Sequence, residues 1–302
     1  MELKTIKSDL HTLKTAILLY KKGSKYLKNR YLIANKIMNS KKVSERPLTN
    51  LDLSIHVLTG HRDITSLFWA VGSFYNVSSV IGQLFIHSDG TLTNHDQLLI
   101  KSKFPSARII TPEEVIKKLK ASSPYSRYLT EFRMEHAQNL LLKKLMDPFI
   151  VSDKRLRLII DTDVFWFRDP VFLNNEPTLQ RPKSLMMDQT HFPCPVSFTD
   201  GSVLSDELSC MNSGIVFYEK SNFDLKKLSN FLKNLDLSKG QNRYFIEEAG
   251  YAVSLKNLEV LPREQYSMKV KFSKETIARH YTSPKRALLF IEGIENLKND
   301  LL

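Results

Sequence analysis

Hydrophobic positions recur along this chain at two different spacings, and the first of these predicts helix. One apolar stripe, with a residue every three or four positions, runs through the first twenty residues: Leu3, Ile6, Leu10, Leu13, Ile17 and Tyr20. This spacing predicts an amphipathic helical segment over residues 1–40, broken in two at Gly23–Ser24. The polar stretch at 40–50 is typical of a linker. We therefore expect a helical extension with its linker over residues 1–50 and one domain over residues 51–302.

Beyond residue 50, short apolar runs alternate with helical patterns. Strands are predicted at residues 54–60, 82–87 and 108–111. Helices are predicted at residues 64–75, 94–103 and 112–120. This alternation is typical of an α/β fold, with a mostly parallel sheet that helices cover on both faces. Because ligands of such sheets bind beyond the carboxyl ends of the strands, residues 59–62 and 87–89 become candidates for a binding site.

Composition and charge narrow the function classes. The 302 residues are 42% apolar and 25% charged, which excludes a disordered or fibrous chain. The net charge is +12, but residues 1–50 hold twelve basic and three acidic side chains, so that +9 lies there and only +3 elsewhere. A basic segment on a nearly balanced body disfavours nucleic-acid binding by the whole chain, and we expect no nucleic-acid partner.

The basic segment leaves three interpretations open. It packs on the body as structural support, it lies on an anionic membrane surface, or it binds a nucleic-acid or protein partner. The longest apolar runs, at 16–20 and 164–167, are far shorter than the roughly 20 residues that cross a bilayer. The chain shows no signal-peptide pattern, and its two cysteines make no disulfide framework. We expect a cytoplasmic protein, with peripheral contact to the inner face of the membrane through residues 1–40 as one alternative.

Two aspartates directly follow the apolar run at 156–160. In an extended chain Asp161 and Asp163 would point the same way, with Thr162 opposite. Two carboxylates held together between apolar flanks repel each other and lose hydration, at a cost of several kcal/mol in order of magnitude. A divalent cation removes both costs, and all-oxygen ligands favour Mg²⁺ or Mn²⁺ with phosphate as a further ligand. The alternative for an isolated Asp-x-Asp is a solvated loop end or a helix cap.

The residues at 158–170, Leu-Ile-Ile-Asp-Thr-Asp-Val-Phe-Trp-Phe-Arg-Asp-Pro, resemble the DXD segment of GT-A-fold glycosyltransferases of bacterial type. In that family the motif holds a metal ion on the diphosphate of a nucleotide sugar. The resemblance implies that Asp161 and Asp163 bind the metal and, with Thr162, contact the nucleotide sugar. GxGxxG, the phosphate-loop GxxxxGK[ST], HExxH and GxSxG are all absent from the chain.

Further segments match the family in the same order, over roughly residues 54–290. Residues 55–62 resemble the first strand, whose end contacts the nucleotide base, and residues 85–92 resemble the second strand and its turn. Residues 133–145 resemble the basic helix before the DXD strand, and residues 211–216 resemble the Asn-x-Gly strand beside the donor sugar. The resemblance implies these further contacts to the nucleotide sugar: Leu58, Thr59, Gly60, Arg62, Asp89, Arg133, Lys144, Asn212, Ser213 and Gly214.

Residues 279–286 resemble the C-terminal histidine segment of metal-dependent, often retaining members. The resemblance implies that His280 completes the metal site and that Lys285 or Arg286 holds the diphosphate. The segment has Ser283–Pro284 where the best-defined members have glycine, and it lacks their final tryptophan, so the subfamily stays open.

Three acidic residues are candidates for catalysis. Asp188 would contact sugar hydroxyls or act as a general base in an inverting mechanism, and its alternative is a loop carboxylate. Glu247 and Glu248 lie where related enzymes place an acidic or amide residue near the reacting centre, and their alternative is a helix-surface pair.

The predicted function is metal-dependent transfer of a sugar, with retention favoured, from a UDP-sugar or related donor to an acceptor hydroxyl. The acceptor is a glycan, a lipid-linked molecule or a protein, in a role such as cell-envelope glycan synthesis. One rival is a nucleotidyltransferase, although the glycine- and lysine-rich phosphate loop expected after the first strand is missing. The other rival is a non-catalytic binding protein anchored by its basic helix.

Overall fold

The computed structural model describes residues 3–174, 183–189, 195–268, 271–283 and 285–302. Its strands are β1 (Leu53–Thr59), β2 (Gln83–Ser88), β3 (Arg108–Ile110), β4 (Leu156–Ile160), β5 (Val164–Trp166), β6 (Ser184–Asp188), β7 (Met211–Glu219), β8 (Leu258–Val260), β9 (Tyr266–Ser267) and β10 (Ala278–His280). Its α-helices are α1 (Leu3–Leu18), α2 (Gly23–Leu27), α3 (Ile64–Val77), α4 (Asn94–Lys103), α5 (Pro112–Ser122), α6 (Arg127–Glu135), α7 (Leu140–Val151), α8 (Asp206–Ser209), α9 (Leu225–Asn234), α10 (Gly240–Ser254), α11 (Arg286–Leu288) and α12 (Ile294–Leu301). Shorter 3₁₀ or π turns cover Lys28–Ile33, Ala34–Asn39, His61–Asp63, Val171–Leu173, Lys220–Asn222 and Leu289–Gly293.

A seven-stranded sheet with the order β3-β2-β1-β4-β7-β6-β8 forms the centre of the molecule. Neighbouring strands are parallel except where β7 pairs antiparallel with β4 and with β6. The central strands are buried along nearly their whole length, as expected of strands covered on both faces. This architecture confirms the predicted α/β class with a mostly parallel sheet.

Separate apolar cores lie against the two faces of this sheet. Ile55 and Val57 of β1 point into one core together with Phe68 and Trp69 of α3. Ile159 of β4 points into the other core, with side chains from α7, α9 and α10. β4 therefore contributes alternate residues to opposite cores, which fixes the register that places its end.

A small second sheet, with the order β5-β10-β9, brings the C-terminal part of the chain to the end of β4. The antiparallel pairing of β10 with β5 sets His280 opposite Val164. The backbone N–H of Tyr281 donates to the carbonyl of Asp163 over 2.9 Å. Residues more than a hundred positions apart in sequence thus become neighbours.

The segment that resembles one helix over residues 133–145 is two helices in the structure. Helix α6 ends at Glu135 and α7 begins at Leu140. The side chain of Asn139 accepts hydrogen bonds from the backbone N–H groups of Leu141 and Leu142 and so caps the start of α7. The prediction of a continuous helix was therefore wrong, because a local cap competes with the apolar periodicity.

The N-terminal segment breaks close to the predicted position, since α1 ends at Leu18 and α2 begins at Gly23. Its later residues contact the domain closely. The Asn29 side chain donates to the Phe290 carbonyl over 2.7 Å, and the Trp69 indole donates to the Ala34 carbonyl over 3.0 Å. No helix among the described residues is long and apolar enough to cross a membrane.

Candidate metal centre

A tight turn at the end of β4 carries both aspartates. The Asp161 N–H donates to the Gly214 carbonyl over 3.0 Å, and the Val164 N–H closes the turn by donating to the Asp161 carbonyl over 3.1 Å. The segment is therefore not extended, and the predicted placement of the two carboxylates on one face of a strand was wrong in its premise. The turn instead passes the chain from the large sheet to the small one.

The two carboxylates converge on an imidazole. Nε2 of His280 lies 3.1 Å from Oδ1 of Asp163 and 3.6 Å from Oδ2 of Asp161. One ligand atom from each of the three residues lies within 4.8 Å of the others. Two carboxylate oxygens and one imidazole nitrogen form a donor set that suits Mn²⁺ or Mg²⁺, so the residues present fit a divalent ion.

Asn212 fixes which nitrogen of His280 faces the carboxylates. Its Oδ1 accepts from the Gly214 N–H over 2.9 Å and lies 2.9 Å from Nδ1 of His280. Because a backbone N–H can only donate, this atom of Asn212 is the oxygen, and Nδ1 of His280 therefore carries a proton. Nε2 is left directed at the two aspartates, the arrangement that a metal-binding histidine needs.

Charge pairing outweighs burial in setting the pKa values of Asp163 and His280. Burial raises the pKa of Asp163, but His280 outweighs it with help from Arg286 and Lys144, and the net pKa lies below its ordinary value. Burial lowers the pKa of His280, but Asp163 and Asp161 outweigh it and raise the net value. His280 and Asp163 thus stabilise each other's charged forms within the cluster.

Lys144 joins Asp161 to a second buried carboxylate. Its ammonium lies 2.6 Å from Oδ1 of Asp161 and 2.7 Å from Oε1 of Glu247, and it donates to the Ser213 carbonyl over 2.9 Å. Burial raises the pKa of Glu247 to about 7 against the opposing charge of Lys144. Burial lowers the pKa of Lys144, but Asp161 and Glu247 outweigh it and raise the net value.

A cavity of about 230 Å³ opens over this cluster. It is lined by Asp63, Leu141, Asp161, Thr162, Asp163, Ser213, Tyr244, Glu247, Glu248, His280, Thr282 and Arg286. The guanidinium of Arg286 lies 3.3 Å from Oδ2 of Asp163 and 3.5 Å from Oδ1 of Asp63. Of the two basic candidates it is thus Arg286 that lines the cavity, while Lys285 does not.

The structure gathers eight of the sequence candidates in the lining of this cavity and leaves others apart, among them Arg133 and Asp188. Arg133 is buried and forms a two-point pair with Asp147, at 2.7 and 2.8 Å, away from the cavity. Asp188, at the end of β6, accepts a hydrogen bond from Arg263 over 2.7 Å and does not line the cavity.

The candidate base-binding residues lie at the ends of β1 and β2. The Asp89 N–H donates to the Thr59 carbonyl over 2.9 Å, and a Cβ on Gly60 would collide with the Asp89 carboxylate. Leu58 is partly exposed on β1 and Arg62 is exposed beyond it, and neither lines the cavity. Asp89 instead lines a larger cavity of about 940 Å³ on the side of α5.

Sequence reasoning missed several of the lining residues. Asp63 directly follows the candidate segment 59–62. The rule that ligands bind beyond the carboxyl ends of strands could therefore have included it. Tyr244 precedes Glu247 and Glu248 by three and four positions on α10, a spacing that places all three on one helix face. Leu141 and Thr282 have no comparable signal in the sequence.

The sheet order, with the candidate metal ligands at the end of β4, is that of a GT-A-type α/β fold. No family profile and no curated protein matches the chain. It is similar to the apo structure of the bifunctional glycosyltransferase WbbM, with a TM-score of 0.54 and 12% identity over 85% of this chain and 52% of that one. It thus spans about half the length of WbbM.

Two other glycosyltransferase structures are more distant. An active-site mutant of LgtC gives a TM-score of 0.47 and 11% identity over 76% of this chain and 88% of that one. Mouse xyloside xylosyltransferase 1 gives a TM-score of 0.42 and 9% identity over 78% of this chain and 98% of that one. The similarity to WbbM confirms the GT-A fold that the sequence resemblance implied.

Substitution of Gly214 by alanine is expected to displace His280 and weaken metal binding. A Cβ on Gly214 would lie against Nδ1, Cε1 and Cγ of the His280 ring, far inside van der Waals contact. We expect a loss of about 1–3 kcal/mol in unfolding free energy, and about 10- to 100-fold in Mn²⁺ affinity. Calorimetric Mn²⁺ titration and thermal melting measure the two effects. Gly240→Ala is the matched control, because nothing lies within 4 Å of a Cβ there; equal Mn²⁺ affinity in both variants would contradict the assignment.

Proposed function

We propose that the protein is a metal-dependent glycosyltransferase that moves a sugar from a nucleotide diphosphate sugar, UDP-linked in first place, to an acceptor hydroxyl. The observation that carries the proposal is the convergence of Asp161, Asp163 and His280 in a cavity at the carboxyl end of the central strands. The GT-A fold supports it, because ligands of such sheets bind at this edge.

Asp161, Asp163 and His280 would hold Mn²⁺ or Mg²⁺ in this proposal. When bound, the ion neutralises the negative charge that develops on the departing diphosphate. Asn212 orients His280, and Lys144 holds Asp161 and Glu247 in place. Arg286, whose only ion pairs within the described residues are with Asp163 and Asp63, would contact the diphosphate as well.

We assign the role closest to the reacting carbon to the acidic pair on α10. Glu248 lines the cavity, where its Oε1 accepts from Nδ2 of Asn212 over 2.7 Å and its Oε2 accepts from Nε2 of Gln189 over 3.2 Å, which fixes its direction. Glu247 lines the same cavity but is engaged by Lys144. Glu248 is therefore the carboxylate we propose for contact with the donor sugar, with retention as the proposed outcome at the anomeric carbon.

A thermal-shift screen over UDP-, GDP- and ADP-sugars, with and without Mn²⁺, tests donor and metal together. We expect one class of nucleotide sugar to raise the melting temperature only when Mn²⁺ is present. A donor at a hundred times its Kd would stabilise the folded state by about 2.7 kcal/mol. Unchanged melting across the whole panel would favour a non-catalytic binding protein. Release of pyrophosphate from a nucleoside triphosphate would favour a nucleotidyltransferase.

A further inference from the structure

The outer surface of the N-terminal helical segment is unusually apolar. Among the described residues fifteen large hydrophobic side chains are exposed, and seven of these lie between residues 10 and 32. They are Leu10, Ile17, Leu18, Leu19, Leu27, Tyr31 and Leu32. Single exposed apolar residues are ordinary on a protein surface, whereas a cluster of them marks an interaction site.

Two adjacent leucines form the tip of this surface. Leu18 and Leu19 are 64% and 68% exposed, at the turn between α1 and α2. The turn is made by Lys21, which adopts a positive φ of 51°, and it is followed by Lys22. A lysine with positive φ is uncommon, and here it turns the chain directly beside the two leucines. The tip therefore combines two exposed apolar side chains with two cations.

The helical turns after this tip also expose apolar and lysine side chains on their outer side. Their inward side chains, Tyr26, Asn29, Ala34 and Ile37, are buried against the domain. Their outward side chains are Leu27, Lys28, Tyr31, Leu32 and Lys36, which are all exposed. Because the inward side supplies the packing, the outward apolar residues are not needed for the fold. We call this surface the N-terminal face and define it by the exposed residues Leu18, Leu19, Leu27, Tyr31 and Leu32 and the exposed lysines Lys21, Lys22, Lys28 and Lys36.

Among the described residues, the exposed lysines of this face have no carboxylate partner, whereas the neighbouring Lys25 lies 3.5 Å from Glu295. Asp9, an acidic residue of the segment, is paired within it to Arg30 at 2.6 Å. Glu45 bonds instead with Ser106 of the domain. Lys21, Lys22, Lys28 and Lys36 have no carboxylate within 4.0 Å in the part of the chain that the structure describes. The face therefore presents cations to whatever lies against it.

We propose that the N-terminal face docks on a membrane surface that carries anionic lipids, with Leu18 and Leu19 entering the headgroup region. Apolar side chains between lysines suit both parts of that environment, the acyl boundary and the negative headgroups. A second copy of the chain would bring two strongly basic segments together, which like-charge repulsion disfavours. A nucleic acid would use the lysines but leave the exposed leucines in water. The proposal does not depend on the sugar-transfer activity.

Sedimentation with phospholipid vesicles, without any donor, tests the proposal on the whole chain. We expect binding to phosphatidylcholine vesicles that contain phosphatidylglycerol, much weaker binding to pure phosphatidylcholine, and a decrease as salt is raised. Leu18→Glu/Leu19→Glu is expected to lower the partition coefficient at least about tenfold. Lys21→Ala/Lys22→Ala is expected to lower it by about tenfold or more.

Leu98→Glu is the matched control, because Leu98 is 70% exposed on α4, outside the N-terminal face. This control should bind vesicles like the unchanged protein, and melting temperatures show whether every variant is folded. Absence of binding to anionic vesicles at low salt would overturn the proposal, as would an equal loss in the Leu98 variant. Self-association without lipid that Leu18→Glu/Leu19→Glu abolishes would show that a second copy covers the face instead.

Discussion

Replacement of Asp163 by asparagine is expected to reduce metal-dependent sugar transfer by about a thousandfold or more. A bound divalent ion contributes several kcal/mol to stabilisation of charge in the transition state, and each 1.36 kcal/mol is a factor of ten in rate. Asp163 supplies the carboxylate nearest to His280 Nε2, at 3.1 Å. Asparagine keeps the shape of the side chain but removes the charge that the ion, His280 and Arg286 all face.

The measurement is the initial rate of transfer or donor hydrolysis with Mn²⁺, and with EDTA as the metal-free reference. Asp161→Asn should behave similarly, although Lys144 also pairs with that residue. Asp153→Asn is the matched control, because this carboxylate is fully exposed near the start of β4 and is paired only loosely to Lys220 at 3.8 Å. Full activity in Asp163→Asn, or a rate that EDTA leaves unchanged, would contradict the proposed metal centre.

Local sequence patterns predicted strands β1, β2 and β3 and the helix between β2 and β3. The predicted strands at 54–60, 82–87 and 108–111 begin and end within one residue of β1, β2 and β3. The helix predicted at 94–103 is confirmed at both ends. These elements carry their own signals: apolar runs that end in turn residues, and a capping box formed by Thr93 and Asp96. The resemblance to a known fold then supplied the order of the remaining segments.

The sequence predicted that the candidate metal ligands Asp161 and Asp163 lie together, but the structure brings them together in a different way. The pattern assumed that Asp161 and Asp163 share a face of one extended strand. In the structure a turn, held by the Gly214 carbonyl, brings them together at His280. That carbonyl belongs to β7, about fifty residues further along the chain. The sequence of residues 156–167 alone could therefore not predict this hydrogen bond. Residue types were therefore predictable here, while the backbone that arranges them was not.

The contacts that hold the candidate metal ligands in position could also not be predicted from local sequence patterns. Asn212 was predicted to lie beside the donor sugar, and the structure adds a contact of its Oδ1 with His280, 68 positions away. Lys144 was predicted to contact the nucleotide sugar, and the structure adds its ion pairs with Asp161 and Glu247. Such pairings depend on which strand ends meet, and only the folded sheet determines that.

Substitution of Lys144 by methionine is expected to destabilise the protein by about 3–5 kcal/mol, the usual cost of leaving a buried charge without its partner. For a chain of this size that is a fall of about 10 °C in melting temperature. The lysine side chain is 4% exposed, and Glu247 beside it is 3% exposed, so water cannot replace the lost ammonium. Lys226→Met, an exposed lysine on α9, should change stability by less than about 0.5 kcal/mol.

The double variant Lys144→Met/Glu247→Gln separates loss of the charge from loss of packing. Burial already raises the pKa of Glu247 to about 7 with Lys144 present, and removal of Lys144 raises this pKa further. A carboxyl group whose pKa is higher in the folded than in the unfolded state stabilises the folded state fully at a pH below its ordinary pKa of about 4.5. This stabilisation is lost as the pH rises through the pKa of the folded state. The deficit of Lys144→Met should therefore grow from pH 5 to pH 8, and the glutamine variant should recover part of it with little pH dependence. Chemical denaturation at both pH values measures this, and equal deficits in the single and double variants at both would show that Lys144 acts through packing alone.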